Sequence, residues 1–330
     1  MKIALFEYIT GGGLRDSDLP ASLAREGDLI IQALVADLAD VPNVQLIVLR
    51  DDRLPPLPRS KSLPVGSSLG CRVAWDQALD ACDAAWPIAP ETGGLLEDLC
   101  AGIERNGKKL LNSASSAVRV AASKMTTIET LRLRGVPVVA TYRVSEAPSD
   151  LPFPRIYKPD DGVGCEGVCL YRNKQIWNTR SPPDNGLIQP FLEGESLSLS
   201  ALFTQGRSRL LCCNRQQIEV SGDGLHLSGC EVNAIPDHKG RWQALADRVA
   251  EAIPGLWGYA GIDLIVTAEG PRILEVNPRL TTSYSGIRQA TGENPAALIL
   301  DLLNTGRLPE PRPPGGRSFT VTLEQAHHEH

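Results

Sequence analysis

Two carboxylates set opposite each other on one β-hairpin constrain this chain more than any other feature. The stretch Gly258 to Tyr284 reads GYAGIDLIVTAEGPRILEVNPRLTTSY. Ala260 to Thr267 and Pro271 to Asn277 are both rich in Ile, Leu and Val. Ala268-Glu269-Gly270 between them fits a three-residue loop ending in a glycine at positive φ. If Thr267 and Pro271 close that loop, Asp263 falls opposite Glu275, and Asn277 lies two residues further along the same face. Ile262, Leu264, Val266, Leu274 and Val276 then share the other face, a core face. Opposed carboxylates repel, so something must compensate. A hard divalent cation does so, because Asp, Glu and the Asn carbonyl all offer oxygen ligands. Mg²⁺ keeps few protein ligands and shares the rest with phosphates, so D…E-x-N describes a Mg–nucleotide platform. Spacing alone is equally met by an exposed hairpin carrying ordinary charges.

Bulk properties narrow the class. The chain has 330 residues, enough for two or three packed units. With 42% hydrophobic and 22% charged residues it reads as a globular enzyme, and a net charge of -6 speaks against nucleic acid or a membrane surface as partner. The apolar runs are too short to span a bilayer. MKIALFEY reads as a strand and not as a signal peptide, so a cytoplasmic protein is expected. None of the eight cysteines sits in C-x-x-C or near a His at zinc spacing, so reduced, mostly buried thiols are expected. Adjacent Cys212 and Cys213 on a strand would point to opposite faces. His327, His328 and His330 crowd the tail, and a His-based triad is not expected.

Lys2 to Tyr8 reads as a first strand, followed by Thr10-Gly11-Gly12-Gly13, a loop that can approach a phosphate or substrate closely. It lacks the G-x-G-x-x-G spacing of a dinucleotide site. A helix from about Ala21 to Asp40 and a strand Val44 to Leu49 come next, then a proline-marked loop from Pro55 to Pro64. A strand Ala84 to Ile88 ends in APETGG (Ala89 to Gly94), followed by a helix Leu95 to Arg105 and a short strand Lys109 to Leu111. Together these form a βαβ-type unit, residues 1–111. Such sheets place ligands at strand C-terminal ends, where both glycine stretches lie, although turn chemistry explains each as well.

A second unit, residues 112–186, opens a helix at Lys124, continues with a strand Pro137 to Tyr142, and runs Arg155 to Lys158 into PDDGVGCEGV. The glycines make a hairpin tip whose N–H groups can close over phosphates, and Lys158 can reach the same anion. Residues 187–330 begin with Leu187 to Leu192, leading into Glu193-Gly194-Glu195. That segment can hold a purine by main-chain bonds and packing, or be a core strand entering a polar turn. Strands Leu197 to Thr204 and Arg209 to Asn214, a helix near Trp242 to Ile253, the hairpin, two further helices and a strand Ser318 to Leu323 complete the reading.

Lys124, Lys158 with its glycine tip, the apolar strand-to-loop segment and the Asp263/Glu275/Asn277 platform follow one another in an order that resembles the ATP-grasp superfamily of carboxylate–amine ligases. The resemblance implies an α/β chain, α+β in its ATP-binding part, with a Rossmann-like pre-ATP-grasp domain. It implies that Lys124 and Lys158 bind ATP phosphates, that Gly162, Gly164 and Gly167 belong to a flap, and that Gln189, Phe191 and Leu192 form an adenine hinge. Asp263, Glu275 and Asn277 would hold Mg²⁺ (with Mn²⁺ as a substitute), and Arg279 would stabilise the phosphorylated acyl group. Many members carry an acid two positions after the hinge glycine to hold the ribose; here that position is Ser196, and Glu195 stands one residue earlier as the candidate. MKIALFEYITGGG, APETGG and EVNPRLTTSYSG look more narrowly like the tyramine–L-glutamate ligase family of methanofuran-type cofactor biosynthesis. That likeness implies glutamate and tyramine as acid and amine substrates, an acyl-phosphate intermediate with ADP and phosphate as products, and admits a homodimer.

Overall fold

The computed structural model describes residues 1–162, 166–313 and 315–323. Gly164, Cys165 and the tail histidines lie outside the described residues. Apolar strands build the first sheet: β1 (Lys2–Glu7), β2 (Gln45–Asp51), β3 (Lys61–Val65), β4 (Ala84–Ile88) and β5 (Lys109–Leu110). They pair in parallel in the order β3-β2-β1-β4-β5. Strands covered on both faces are apolar at every position, and β1 shows why. Ile3 and Leu5 pack with Leu34 and Leu38 of α1 (Ala21–Ala39), whereas Ala4 and Phe6 pack with Ala74 and Ala78 of α2 (Cys71–Ala81). β3 lies where the prolines suggest only a loop; Pro64 is tolerated because β3 is an edge strand. The helix α3 (Leu95–Arg105) completes this layer.

The helices α4 (Ser115–Ala122) and α5 (Lys124–Leu133) lead into the second sheet. Its strands are β6 (Tyr142–Arg143), β7 (Arg155–Pro159), β8 (Cys169–Tyr171), β9 (Gly186–Pro190) and β10 (Glu195–Thr204). They continue as β11 (Arg207–Ser221), β12 (Gly224–Val232), β13 (Gly258–Thr267), β14 (Gly270–Asn277) and β15 (Phe319–Thr322). The order is β14-β13-β10-β11-β12-β8-β7-β9-β6, with β15 on β12. The strand expected over Pro137 to Tyr142 is not there: Val138 makes an isolated bridge to Ile273, and pairing begins only at Tyr142. The short helix α6 (Lys174–Thr179) follows β8, and α7 (Arg241–Ala252) packs Trp242, Leu245 and Val249 on Leu199, Phe203 and Ile262.

The other face of this sheet meets α8 (Tyr284–Thr291) and α9 (Pro295–Thr305). These helices also touch α1, so one apolar cluster runs from Ile3 and Leu34 through Ile287 and Leu300 to Cys212. Cys213 belongs to the opposite cluster, as alternation on a strand requires. A polar clasp crosses the same seam: Tyr284 Oη donates to Asp37 Oδ2 at 3.0 Å, and Arg288 Nη1 donates to Asp37 Oδ1 at 3.2 Å.

The platform hairpin reaches the expected pairing by a different route. Gly270 takes φ 115° and pairs with Thr267, so the loop is one residue shorter than expected. Leu264 then faces Ile273, and continuing in step would set Leu274 against Asp263 and Glu275 against Ile262. A bulge between Asp263 and Leu264 corrects this, and Asp263 pairs with Glu275. Leu274 is therefore not on the core face; it lines a cleft, while Ile273 is fully buried in its place. Deleting Leu274 should remove the extra residue and leave Glu275, now next to Ile273, opposite Asp263 in an unbulged ladder. The deletion variant should therefore keep its cooperative thermal transition. Leu274→Ala, which keeps the register of a half-buried residue, should cost less than about 2 kcal/mol in a denaturant titration.

Candidate functional site

Three neighbouring strands carry the platform. Ser198 on β10 lies beside Asp263 on β13, which lies beside Glu275 on β14. Gln216 Nε2 donates to Asp263 Oδ1 at 3.1 Å, and Asn277 Nδ2 donates to Asp263 Oδ2 at 3.2 Å. Lys124 Nζ lies 3.5 Å from Glu275 Oε2 and also donates to the Gly162 carbonyl. Burial, then the charge of Glu275, pushes the Asp263 carboxyl up to about 8, with Asn277 and Arg279 working the other way. The donor set fits a divalent cation. Two carboxylates and an amide oxygen carrier share one face, and a positive charge would relieve the repulsion that holds a proton there.

On one side of the platform lies a cleft of about 470 Å³. Lys124 and Lys158 line it near Glu275, and Gln189, Phe191 and Leu192 line it along the end of β9 and the following loop. Lys124 is the first residue of α5, whose start Ser123 caps by accepting from Thr126 N at 3.1 Å. Lys158 is buried on β7, opposite Leu187. Gln189 Nε2 donates to Thr141 Oγ1 at 2.8 Å, so its side chain is committed to the protein. Phe191 N donates to Pro154 O at 2.9 Å, while its ring is 36% exposed at the cleft. Asp160 ties the base of the glycine segment to α5, accepting from Ser123 Oγ at 2.9 Å and Met125 N at 2.8 Å. Gly167 has φ 71°, and a Cβ there would come within 2.9 Å of Pro159 Cγ, so glycine is required.

Glu195 is not where a ribose-binding acid would stand. It shares the strand face of core residue Leu197 and pairs outward with Arg215 at 2.7 Å. Glu193 and Ser196 line the cleft instead. Strand alternation explains the correction: Ser196 and Ser198 face the platform, so Glu195 between them cannot.

A second cleft of about 350 Å³ adjoins the first; Gln216, Leu227, Asp263 and Glu275 line both. Tyr8, Ile9, Leu14, Leu23, Ile30 and Ile88 give it apolar walls, and the acids Glu7, Glu26 and Glu166 line it as well. Arg279 is the one cation among its described lining residues. Burial works against the Arg279 charge, but Glu91, Glu26 and Glu275 outweigh it and hold the guanidinium protonated. Its Nε lies 3.0 Å from Glu91 Oε1. The Glu91 loop also reaches the glycine segment: Thr92 Oγ1 donates to Asp161 O at 2.9 Å, and Gly93 N to Asp161 Oδ2 at 3.2 Å. The glycine loop after β1 folds into one wide helical turn, Ile9–Gly13, held by Glu7, which accepts from Thr10 N at 2.7 Å and Thr10 Oγ1 at 2.6 Å.

The structure thus brings Lys124, Lys158, Gln189, Phe191, Leu192, Asp263 and Glu275 to one cleft, and Asp263, Glu275, Asn277 and Arg279 to its neighbour. Sequence reasoning missed Glu7, Glu26 and Gln216 as site residues, and gave the Glu91 stretch only as a possible ligand-facing strand end. Glu7 closes β1 directly before a glycine loop, which was a usable signal; Glu26 and Gln216 sit in ordinary helix and strand patterns.

Comparisons with known proteins agree with this geometry. A pre ATP-grasp 3 domain matches residues 44–118 and an ATP-grasp domain matches residues 121–283. The tyramine–L-glutamate ligase of Methanocaldococcus fervens is 29% identical over 315 residues, covering 93% of this chain and 95% of that protein. Its counterpart in Methanocaldococcus jannaschii is 26% identical over 314 residues, covering 93% and 90%. Among solved structures, a protein of Archaeoglobus fulgidus assigned to the ATP-grasp superfamily superposes with a TM-score of 0.71 at 27% identity, covering 91% of this chain and 88% of that one. An L-amino acid ligase from Bacillus licheniformis shares the fold at 16% identity, with a TM-score of 0.63 and coverage of 91% and 73%. No helix among the described residues is long and apolar enough to cross a membrane.

The raised Asp263 pKa has a sign that can be measured. An acid lifted from 3.8 to about 8 binds more protons folded than unfolded, so the cation-free protein should lose stability as pH rises between those values. Cation binding must displace the proton. Calorimetric titration of Mg²⁺ with ADP, in two buffers of different ionisation enthalpy, should show proton release approaching one per site at pH 7 and vanishing above about pH 9. Equal heats in both buffers at pH 7 would contradict the assignment.

Proposed function

We propose that this chain, an ATP-dependent ligase of the ATP-grasp superfamily that forms C–N bonds and resembles the tyramine–L-glutamate ligases, joins the γ-carboxyl of glutamate to the amine of tyramine. The observation that carries this reading is the junction: one carboxylate pair, Asp263 and Glu275, serves two clefts of opposite character. The first offers two lysines and an apolar strand end, which suit a nucleotide triphosphate and its base. The second offers one arginine, three further acids and apolar walls, which suit a carboxylate held at Arg279 and an amine on an apolar body.

In this reading Lys124 and Lys158 take the nucleotide phosphates, and Gln189, Phe191 and Leu192 border the adenine. Glu193 or Ser196 replaces Glu195 at the ribose. Gly162 and Gly167 form the flap base. Asp263, Glu275 and Asn277 would hold a divalent cation, Mg²⁺ by the chemistry of the donors, which when bound neutralises phosphate charge. A carboxylate is a poor acyl donor at neutral pH, and phosphorylation turns its oxygen into a leaving group. Arg279, charged and fixed by Glu91, faces the position where the acyl oxygen gains charge. Burial of the junction keeps water from the acyl phosphate. We infer that such a product belongs to the assembly of methanofuran-type cofactors, a reading that the likeness to the tyramine–L-glutamate ligases supports.

Measuring ADP release with glutamate plus tyramine, against a panel of other acids and amines, tests the substrates. Turnover is expected with that pair and not with pairs of amino acids; the reverse result would leave the ligase and remove its proposed substrates. Glu275→Gln separates stability from function. It removes the repulsion with Asp263, so the nucleotide-free protein should melt at least roughly 2 °C higher. It also removes a cation ligand, so kcat should fall by about 10²-fold or more.

A further inference from the structure

Three acidic side chains that line the second cleft, and Glu91 beside it, are already engaged or belong to the junction, and a further lining acid, Glu166, is an exposed turn residue. Asp263 and Glu275 form the platform, and Glu91 holds Arg279. Glu7 is saturated by the turn after β1, with Ile9 N a third donor at 3.2 Å, and it packs so closely on α1 that a Cβ at Gly27 would come within 2.5 Å of Oε2. Glu26 is different. It stands on α1 with Leu23 three residues before and Ile30 four residues after, and all three line the cleft. The carboxylate therefore emerges from an apolar helix face. Its Oε1 accepts from Thr282 Oγ1, and among the described residues nothing donates to Oε2. Thr282 lies three residues beyond Arg279, so this bond holds the carboxylate on the acceptor side of the platform.

A half-buried anion steadied by a hydroxyl and walled by aliphatic side chains complements an ammonium on an apolar body. It repels a second carboxylate. We propose that Glu26 receives the ammonium of the incoming amine and takes the proton it sheds before its nitrogen attacks. The lone pair so freed forms the C–N bond, the bond from the acyl carbon to the phosphoryl oxygen breaks, and inorganic phosphate leaves with that electron pair and with the second proton of the nitrogen. The first proton passes through Glu26 to solvent. This assignment rests on the ligase reading above.

The test uses the full chain with ATP, L-glutamate and tyramine, and hydroxylamine as a small neutral trap for the acyl phosphate. In Glu26→Gln the Thr282 bond can persist, because an amide oxygen still accepts. The KM for tyramine should rise about tenfold or more, with the KM values for ATP and glutamate within about twofold of native. Hydroxamate should still form in this variant, since that trap brings no charge to anchor. Thr282→Val should raise the tyramine KM in the same direction but less. An unchanged tyramine KM would overturn the proposal, as would a rise in the glutamate KM instead, or a parallel change in all constants together with the melting temperature. Native enzyme that forms no hydroxamate with glutamate or any other acid would overturn the ligase reading itself, an outcome distinct from the first three.

Discussion

The repulsion between Asp263 and Glu275 is the constraint from which the rest of the molecule can be understood. Cross-strand neighbours with like charge destabilise a hairpin. Here the pair is also half-buried, and both the loss of solvent and the facing charge disfavour ionisation of Asp263. The surroundings temper this without removing it. Gln216 and Asn277 donate to Asp263, and Lys124 stands 3.5 Å from Glu275. Each of these groups comes from a different element, so β11, α5 and the end of β14 must all be in place before the pair is tolerable. A site that destabilises its own fold in this way remains only because occupancy repays it.

That need explains why two sheets share one core. α8 and α9 follow the platform directly and pack on α1 of the first unit, with Asp37 clasped by Tyr284 and Arg288. The helix bearing Glu26 is thereby fixed against the strands bearing Asp263. The loop after β4 adds a second tie, because Glu91 meets Arg279 while Thr92 and Gly93 meet Asp161. Three parts of the site, the arginine, the glycine segment and the first unit, are therefore joined through three consecutive residues, 91–93.

The platform was legible in the sequence because hairpin alternation is a strong local rule, yet the details were not. The expected pairing of Asp263 with Glu275 holds, but it depends on a bulge at Leu274 that no pattern announced, since ILEV reads as well in either register. β3 was hidden by prolines that an edge strand tolerates, and the supposed strand at Pro137 to Tyr142 is apolar without pairing. The parallel sheet and the long helix α1 were visible from composition and period alone. Glu195 was placed by proximity to a motif, whereas the alternation of Ser196 and Ser198 already put it on the wrong face. Glu26, Glu91 and Gln216 come together only in three dimensions, from a helix, a loop and a strand with no shared motif.

Charge is divided across the junction in a way that bears on the order of the chemistry. Both lysines, Lys124 and Lys158, line the first cleft with Glu193, acids dominate the second except at Arg279, and Asp263 and Glu275 are shared. A free carboxylate entering the second cleft meets the acids Glu26 and Glu275, and finds its attraction at Arg279, the one cation among the described lining residues. In the proposed reaction a substrate carboxylate would be drawn to Arg279 and an amine to Glu26. Once that carboxylate is esterified it no longer needs the arginine as a counter-charge, and the guanidinium is available to the oxygen that becomes negative during attack. The same field that excludes a second carboxylate therefore orients the first, and no conformational change has to be invoked for the two substrates to be told apart.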